Sequence, residues 1–99
     1  MSKYEIEVTE EARSDLYQYT VSERKILSEE VRVQLSDQPL VETKNRKKLR
    51  ENPLAPWELR ASKYRIFYQV DDASHRVTIV AIGHKEHNML LIRGKEVKI

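Results

Sequence analysis

The stretch that decides the fold is Trp57-Glu-Leu-Arg60, then Lys63-Tyr-Arg-Ile-Phe-Tyr-Gln-Val70, Asp71-Asp-Ala-Ser74 and Arg76-Val-Thr-Ile-Val-Ala-Ile82. In its middle, Tyr64, Ile66, Tyr68 and Val70 alternate with Arg65, Phe67 and Gln69. A period of two is the mark of a strand with one face on a core. Residues 71–74 are a polar turn, and the β-branched run that follows pairs back on the first strand as a hairpin, with Gly83 expected to close it. Arg60 and Arg65 then lie on or beside neighbouring strands with a turn between them.

Upstream, Tyr4, Ile6 and Val8 share one face of a short strand over 3–8. Thr9 is placed to cap a helix over 10–19, with Glu10 and Glu11 in the first turn where the helix dipole favours anions. Thr20 and Glu23 have the hydroxyl–carboxylate spacing of a capping box for a second helix over about 21–37, striped by Ile26, Leu27, Val31 and Leu35. Pro39 prevents its continuation. Downstream, Met89–Ile92 reads as a last short strand, with a glycine turn at Gly94 and another extended piece after it. The order is β-α-α-β-β-β with one more strand to follow: an α+β fold in which a two-helix hairpin covers one face of an antiparallel sheet. The opposite face is expected to be free and rimmed by basic groups.

The 99 residues fit one domain spanning 1–99. A chain this short hides only about 60–65% of the surface its unfolded form exposes, so its stability is expected to be marginal without a partner. There is no cysteine, which removes disulfides, thiolate zinc sites and cysteine nucleophiles. The longest nearly apolar run, Val77–Ile82, is far short of the ~20 residues a membrane span needs. The polar start Met-Ser-Lys-Tyr-Glu lacks a signal-peptide core. A cytoplasmic protein without a membrane partner is the expectation.

Net charge is +2, but residues 1–41 hold 5 basic and 9 acidic side chains and residues 42–99 hold 13 basic and 7 acidic. A basic half joined to an acidic half points to a polyanionic partner, nucleic acid foremost. Lys44, Arg46, Lys47, Lys48 and Arg50 crowd five cations into seven positions, suited to phosphate contacts by counterion release. A merely solvated surface is the plainer reading of such a run. Trp57 and Tyr68 have faces on which bases can stack, although a lone Trp beside Leu59 fits a core better. Arg60 and Arg65 can aim two planar, permanently charged forks at one phosphoryl group; the plainer reading is a strand arginine paired with Glu58 or Asp71. His84 and His87, just past the most apolar strand, are candidates for proton transfer near neutral pH. Two imidazoles alone make a poor metal site. With only Gly83 and Gly94, glycine-rich nucleotide loops are excluded. No metal and no cofactor are expected.

The segments Val41–Arg50, Asn52–Arg60 and Tyr64–Val70, with the pattern Leu-Arg-x-x-x-Tyr-Arg-Ile-x-Tyr and the later Val80-Ala-Ile-Gly-His-Lys85, resemble the RelE/ParE superfamily of bacterial toxins. The likeness runs over nearly the whole chain. It implies a RelE-like fold and a toxin of a type II toxin–antitoxin pair, bound by a cognate antitoxin from an adjacent gene. RelE-like members cut translated mRNA on the ribosome; ParE-like members inhibit DNA gyrase without cutting RNA. The family's strand arginine corresponds to Arg65, a basic position after the next strand to Lys85, and the RNA-contacting cations to Arg46–Arg50.

The sequence departs from the nuclease pattern in two places. Met89-Leu-Leu-Ile92 lacks the tyrosine or histidine found near the C-terminus of many nucleases, and Pro56 and Glu58 replace a lysine pair. The expectation is an mRNA interferase using metal-free attack by the 2′-OH. Arg65 and Arg60 would hold the phosphate, Lys85 would add charge, His84 or His87 would move protons, and Glu58 is a further base candidate. A gyrase inhibitor, and an inactive relative that only binds antitoxin, are the rival readings.

Overall fold

The computed structural model describes residues 3–99. Its elements are β1 (Glu5–Val8), α1 (Glu10–Tyr17), α2 (Val21–Leu35), β2 (Arg46–Lys48), β3 (Trp57–Ala61), β4 (Tyr64–Asp71), β5 (Arg76–Glu86), β6 (Met89–Ile92) and β7 (Lys95–Glu96). The helix starts follow their caps. Thr9 accepts the Ala12 N–H, and Thr20 exchanges both capping-box bonds with Glu23, which satisfies donors that the first turn would otherwise leave unpaired.

The strands form one sheet in the order β2-β3-β4-β5-β6-β7, with neighbours antiparallel. The first strand departs from the expected pattern: β1 lies parallel to β5, Glu5 opposite Arg76 and Val8 opposite Ile79. One edge of β5 is filled by β4, and the other is shared by β1 in its first half and β6 in its second. Between those two partners the Ile82 N–H would face no strand, and the buried Asp15 carboxylate accepts it through Oδ2 at 3.0 Å.

A register shift between Phe67 and Tyr68 leaves Val80 without a partner in β4. Such a bulge turns the following residues to the other face, so Val77, Ile79 and Ile82 all reach the helix side. There they pack with Ala12, Leu27, Leu35, Leu59, Ile66 and Tyr68. Each fully buried large side chain contributes about 1.5–3 kcal/mol. Trp57 stacks on Tyr68 at 6.0 Å in this layer, and the Tyr68 hydroxyl donates to the Pro39 carbonyl. Both rings are core, out of reach of any base.

Within the basic run, Arg46–Lys48 pairs with Trp57–Leu59 as an edge strand. Two expectations are corrected. Gly83 does not close its strand; β5 continues to Glu86. The far face of the sheet is only partly free. Phe67 and Ala81 are covered there by Ala55, Leu90 and Ile92, because the β6–β7 hairpin folds back over the sheet. Gly83 makes that crossing possible: a Cβ there would lie 2.4 Å from the Leu91 carbonyl oxygen. The hairpin turns are tight two-residue links with positive φ at His87, Asn88, Arg93 and Gly94, the geometry that matches strand twist. Among the described residues, no helix is long and apolar enough to cross a membrane.

Candidate functional site

Side chains alternate along a strand, so Trp57, Leu59 and Ala61 of β3 face the helices while Glu58 and Arg60 face away. Arg60 stands directly opposite Arg65, and Arg65 opposite Gly83. Lys85 follows two residues on, on the same face. The result is a pocket of about 420 Å³ lined by Leu49, Glu58, Arg60, Arg65, Lys85, Asn88 and Ile99. It sits on the far face, where the C-terminal hairpin leaves the sheet uncovered.

The charges in this pocket are organised around one carboxylate. Glu58 is 6% exposed at its side chain, with Oε2 at 3.4 Å from Arg60 Nε and Oε1 at 3.6 Å from Arg65 Nε. The second distance is an ion pair but too long for a hydrogen bond, and the buried Arg65 Nε–H has no hydrogen-bond partner. Arg65 Nη1 donates to the Ser62 and Tyr64 carbonyls, both at 2.8 Å. This locks the guanidinium against the β3–β4 turn. Burial lowers the Arg65 pKa from its ordinary value, the Glu58 carboxylate opposes that shift and Arg60 adds to it. A guanidinium remains a cation throughout. Arg60 is half exposed. The Lys85 backbone N–H donates to the Lys63 carbonyl at 2.8 Å, tying the end of β5 to the same turn.

Of the residues singled out from the sequence, Arg60, Arg65 and Lys85 come together. The histidines do not join them. His84 points to the helix side: its Nδ1 lies 2.8 Å from the Tyr19 hydroxyl and its Nε2 2.9 Å from Glu86 Oε2. A carboxylate can only accept, so Nε2 is the donor to Glu86, and in the neutral ring Nδ1 then accepts from the tyrosine hydroxyl. Burial pushes the Tyr19 hydroxyl up to about 12, and the hydrogen bond from His84 holds Glu86 below its ordinary value. His87 is exposed at the tip of the β5–β6 turn.

The basic run also divides. Arg46 is buried, with Nε donating to the Val41 carbonyl at 2.8 Å and Nη1 to the Gln34 carbonyl and side chain. It fastens the loop after α2 to the sheet and offers nothing to a nucleic acid. Lys47 pairs with Glu58 and so shares the pocket's face. Lys44, Lys48 and Arg50 are exposed. Sequence reading missed Leu49, Asn88 and Ile99, which line the pocket only because distant segments meet there. Among the described residues no group of three or more His, Asp or Glu side chains is gathered as metal ligands would be.

A sequence model of the family described as ParE toxin of type II toxin-antitoxin system, parDE, matches residues 6–89. The chain belongs to this toxin family. The crystal structure of the toxin-antitoxin complex RelBE2 from Mycobacterium tuberculosis contains a chain similar to the toxin, with a TM-score of 0.75 and 28% identity over 86% of this chain and 94% of that one. The shared architecture is the helical hairpin on one side of the sheet, the RelE-like arrangement. Among curated proteins, none matches the sequence.

Proposed function

We propose that the toxin acts on RNA at the pocket of Arg60, Arg65 and Lys85, cutting translated mRNA without a metal. The observation that carries this reading is the convergence of two guanidiniums and one ammonium on a single depression of the far face. The 2′-oxygen attacks the adjacent phosphorus, the bond from phosphorus to the 5′-oxygen breaks, and a 2′,3′-cyclic phosphate and a 5′-OH result. Arg60 and Arg65 stabilise the charge that develops on the phosphoryl oxygens. The 2′-OH proton leaves to solvent, and the Lys85 ammonium is the pocket's donor for the departing 5′-oxygen. Lys47 extends the cationic track along the sheet. A cognate antitoxin from the neighbouring gene would silence the toxin; the similarity to a chain from a toxin–antitoxin complex supports that partner.

A ParE-like gyrase inhibitor is the second reading. Its support is the matched family, together with a pocket lining that includes neither His84 nor His87. Brief induction separates the two. Cleavage of translated mRNA, mapped by its 5′ ends, supports the first; broken DNA and inhibited supercoiling with intact mRNA overturn it in favour of the second.

A further inference from the structure

We propose that Glu58 is a positioning residue, whose buried carboxylate fixes the guanidiniums of Arg60 and Arg65 around one phosphate-sized spot and offsets one of their charges. The inference rests on the reading of this pocket as the nucleic-acid site.

Arg60 and Arg65 are direct cross-strand neighbours. Like charges in that position repel, and nothing in the strand geometry alone would make both forks point the same way. Glu58 supplies the reason. It lies on the same face, two residues before Arg60, and presents one oxygen to each Nε. Buried charges are paired, and the partners of this one are the two guanidiniums. Because it engages the inner Nε edge of each arginine, it leaves the outer nitrogens of Arg60 to meet a ligand. Arg65 is further restrained by the Ser62 and Tyr64 carbonyls. The position also argues against Glu58 as a general base. Its side chain is 6% exposed and each of its oxygens already faces a guanidinium Nε, which leaves neither oxygen free for a 2′-OH.

The test uses the whole toxin and a single-stranded RNA oligonucleotide made uncleavable by 2′-O-methylation. In Glu58→Gln one more cation becomes available to phosphate. The plot of log affinity against log salt should steepen by about 0.7 and binding at low salt should tighten, while cleavage of ordinary RNA falls by about 10²-fold because the forks are no longer aligned. Affinity and rate moving in opposite directions is the signature; damage to the fold would lower both. An unchanged slope with unchanged cleavage overturns the proposal. So does unchanged binding with a lost acidic limb in the pH–rate profile, which would make Glu58 the base.

Should Glu58→Gln fail to fold, the wild-type protein still decides the matter. The guanidinium groups of Arg60 and Arg65 should show restricted side-chain motion by NMR at about pH 7, and signals as mobile as those of surface arginines overturn it. If the wild type cuts no RNA, the nuclease reading falls, and the salt slope and arginine signals judge Glu58 by themselves.

Discussion

The carboxylate of Asp15 and the backbone N–H of Ile82 are joined at 3.0 Å across the junction of helix and sheet. The other oxygen, Oδ1, lies 2.7 Å from Arg93 Nε, but the N–H is not aligned on it, so the contact is an ion pair without a directed hydrogen bond. Burial raises the Asp15 pKa, and the Ile82 N–H and Arg93 pull it back. The carboxylate thus ties α1 to β5 and to the turn between β6 and β7. Asp15→Ala strands the amide of Ile82 and should cost about 1–3 kcal/mol. Asp15→Asn keeps an acceptor and should cost less. Urea denaturation of both variants checks the order.

Gly83 should tolerate no side chain. The atoms a Cβ would meet include the Leu91 carbonyl at 2.4 Å, and backbone cannot step aside as a flexible side chain can. Gly83→Ala is expected to destabilise by about 1–3 kcal/mol. Gly94, with φ +73 and open space around its Cβ position, should accept Asn at little cost. Thermal unfolding of the two variants distinguishes steric from conformational demand.

Arg65→Ala should abolish most growth arrest on induction, with a loss of about 10²–10³ in rate, while circular dichroism shows a folded protein. Growth arrest that persists in a folded Arg65→Ala protein would remove Arg65 from the site.

Replacing Arg46 and replacing Lys47 should have opposite consequences. Arg46→Ala leaves the carbonyls of Gln34 and Val41 without their donor and is expected to lower stability by about 1–3 kcal/mol. Lys47→Ala should leave stability within about 0.5 kcal/mol while reducing RNA affinity and its salt dependence. Parallel denaturation and binding measurements resolve the two roles.

Acid should erase the contribution of Glu23. The Tyr64 hydroxyl donates to its carboxylate and holds the Glu23 pKa below its ordinary 4.5, with the Thr20 N–H adding to the effect. A carboxyl with a lowered folded-state pKa stabilises above its unfolded value, and that contribution disappears as pH falls through the folded value. The urea midpoints of wild type and Glu23→Gln should therefore differ at neutral pH and converge as the pH falls below the ordinary 4.5. A gap of constant size across that range would show that the pair is not what stabilises this corner.

Much of this architecture is legible in local chemistry. Thr9 and Thr20 announce their helices, and the alternation of Tyr64, Ile66 and Tyr68 announces the strand that aims Arg65 away from the helices. What sequence hides is what depends on distant partners. Arg46 looks like its neighbours Lys47 and Lys48 because a cation's burial depends on which carbonyls fold around it, here those of Gln34 and Val41. Glu58 is legible as a partner for the strand arginine Arg65, but only the paired strands bring Arg60 to the same carboxylate. His84 sits beside Lys85 in sequence, yet adjacent strand residues face opposite sides, so one joins Tyr19 under the helices and the other joins the pocket.

The parallel docking of Glu5–Val8 against Arg76–Ile79 has a consequence for how the chain is born. The hairpins from Trp57 to Glu86 close over short loops and can form as soon as they are made. The first strand must wait until residues 76–79 have been made, then close a loop of roughly seventy residues at an entropic cost of about 4 kcal/mol. Its pairing spans a far greater sequence separation than the hairpins, and such contacts form slowly. Until it forms, the edge of β5 over Arg76–Ile79 has no partner, and an unpaired strand edge is an aggregation hazard.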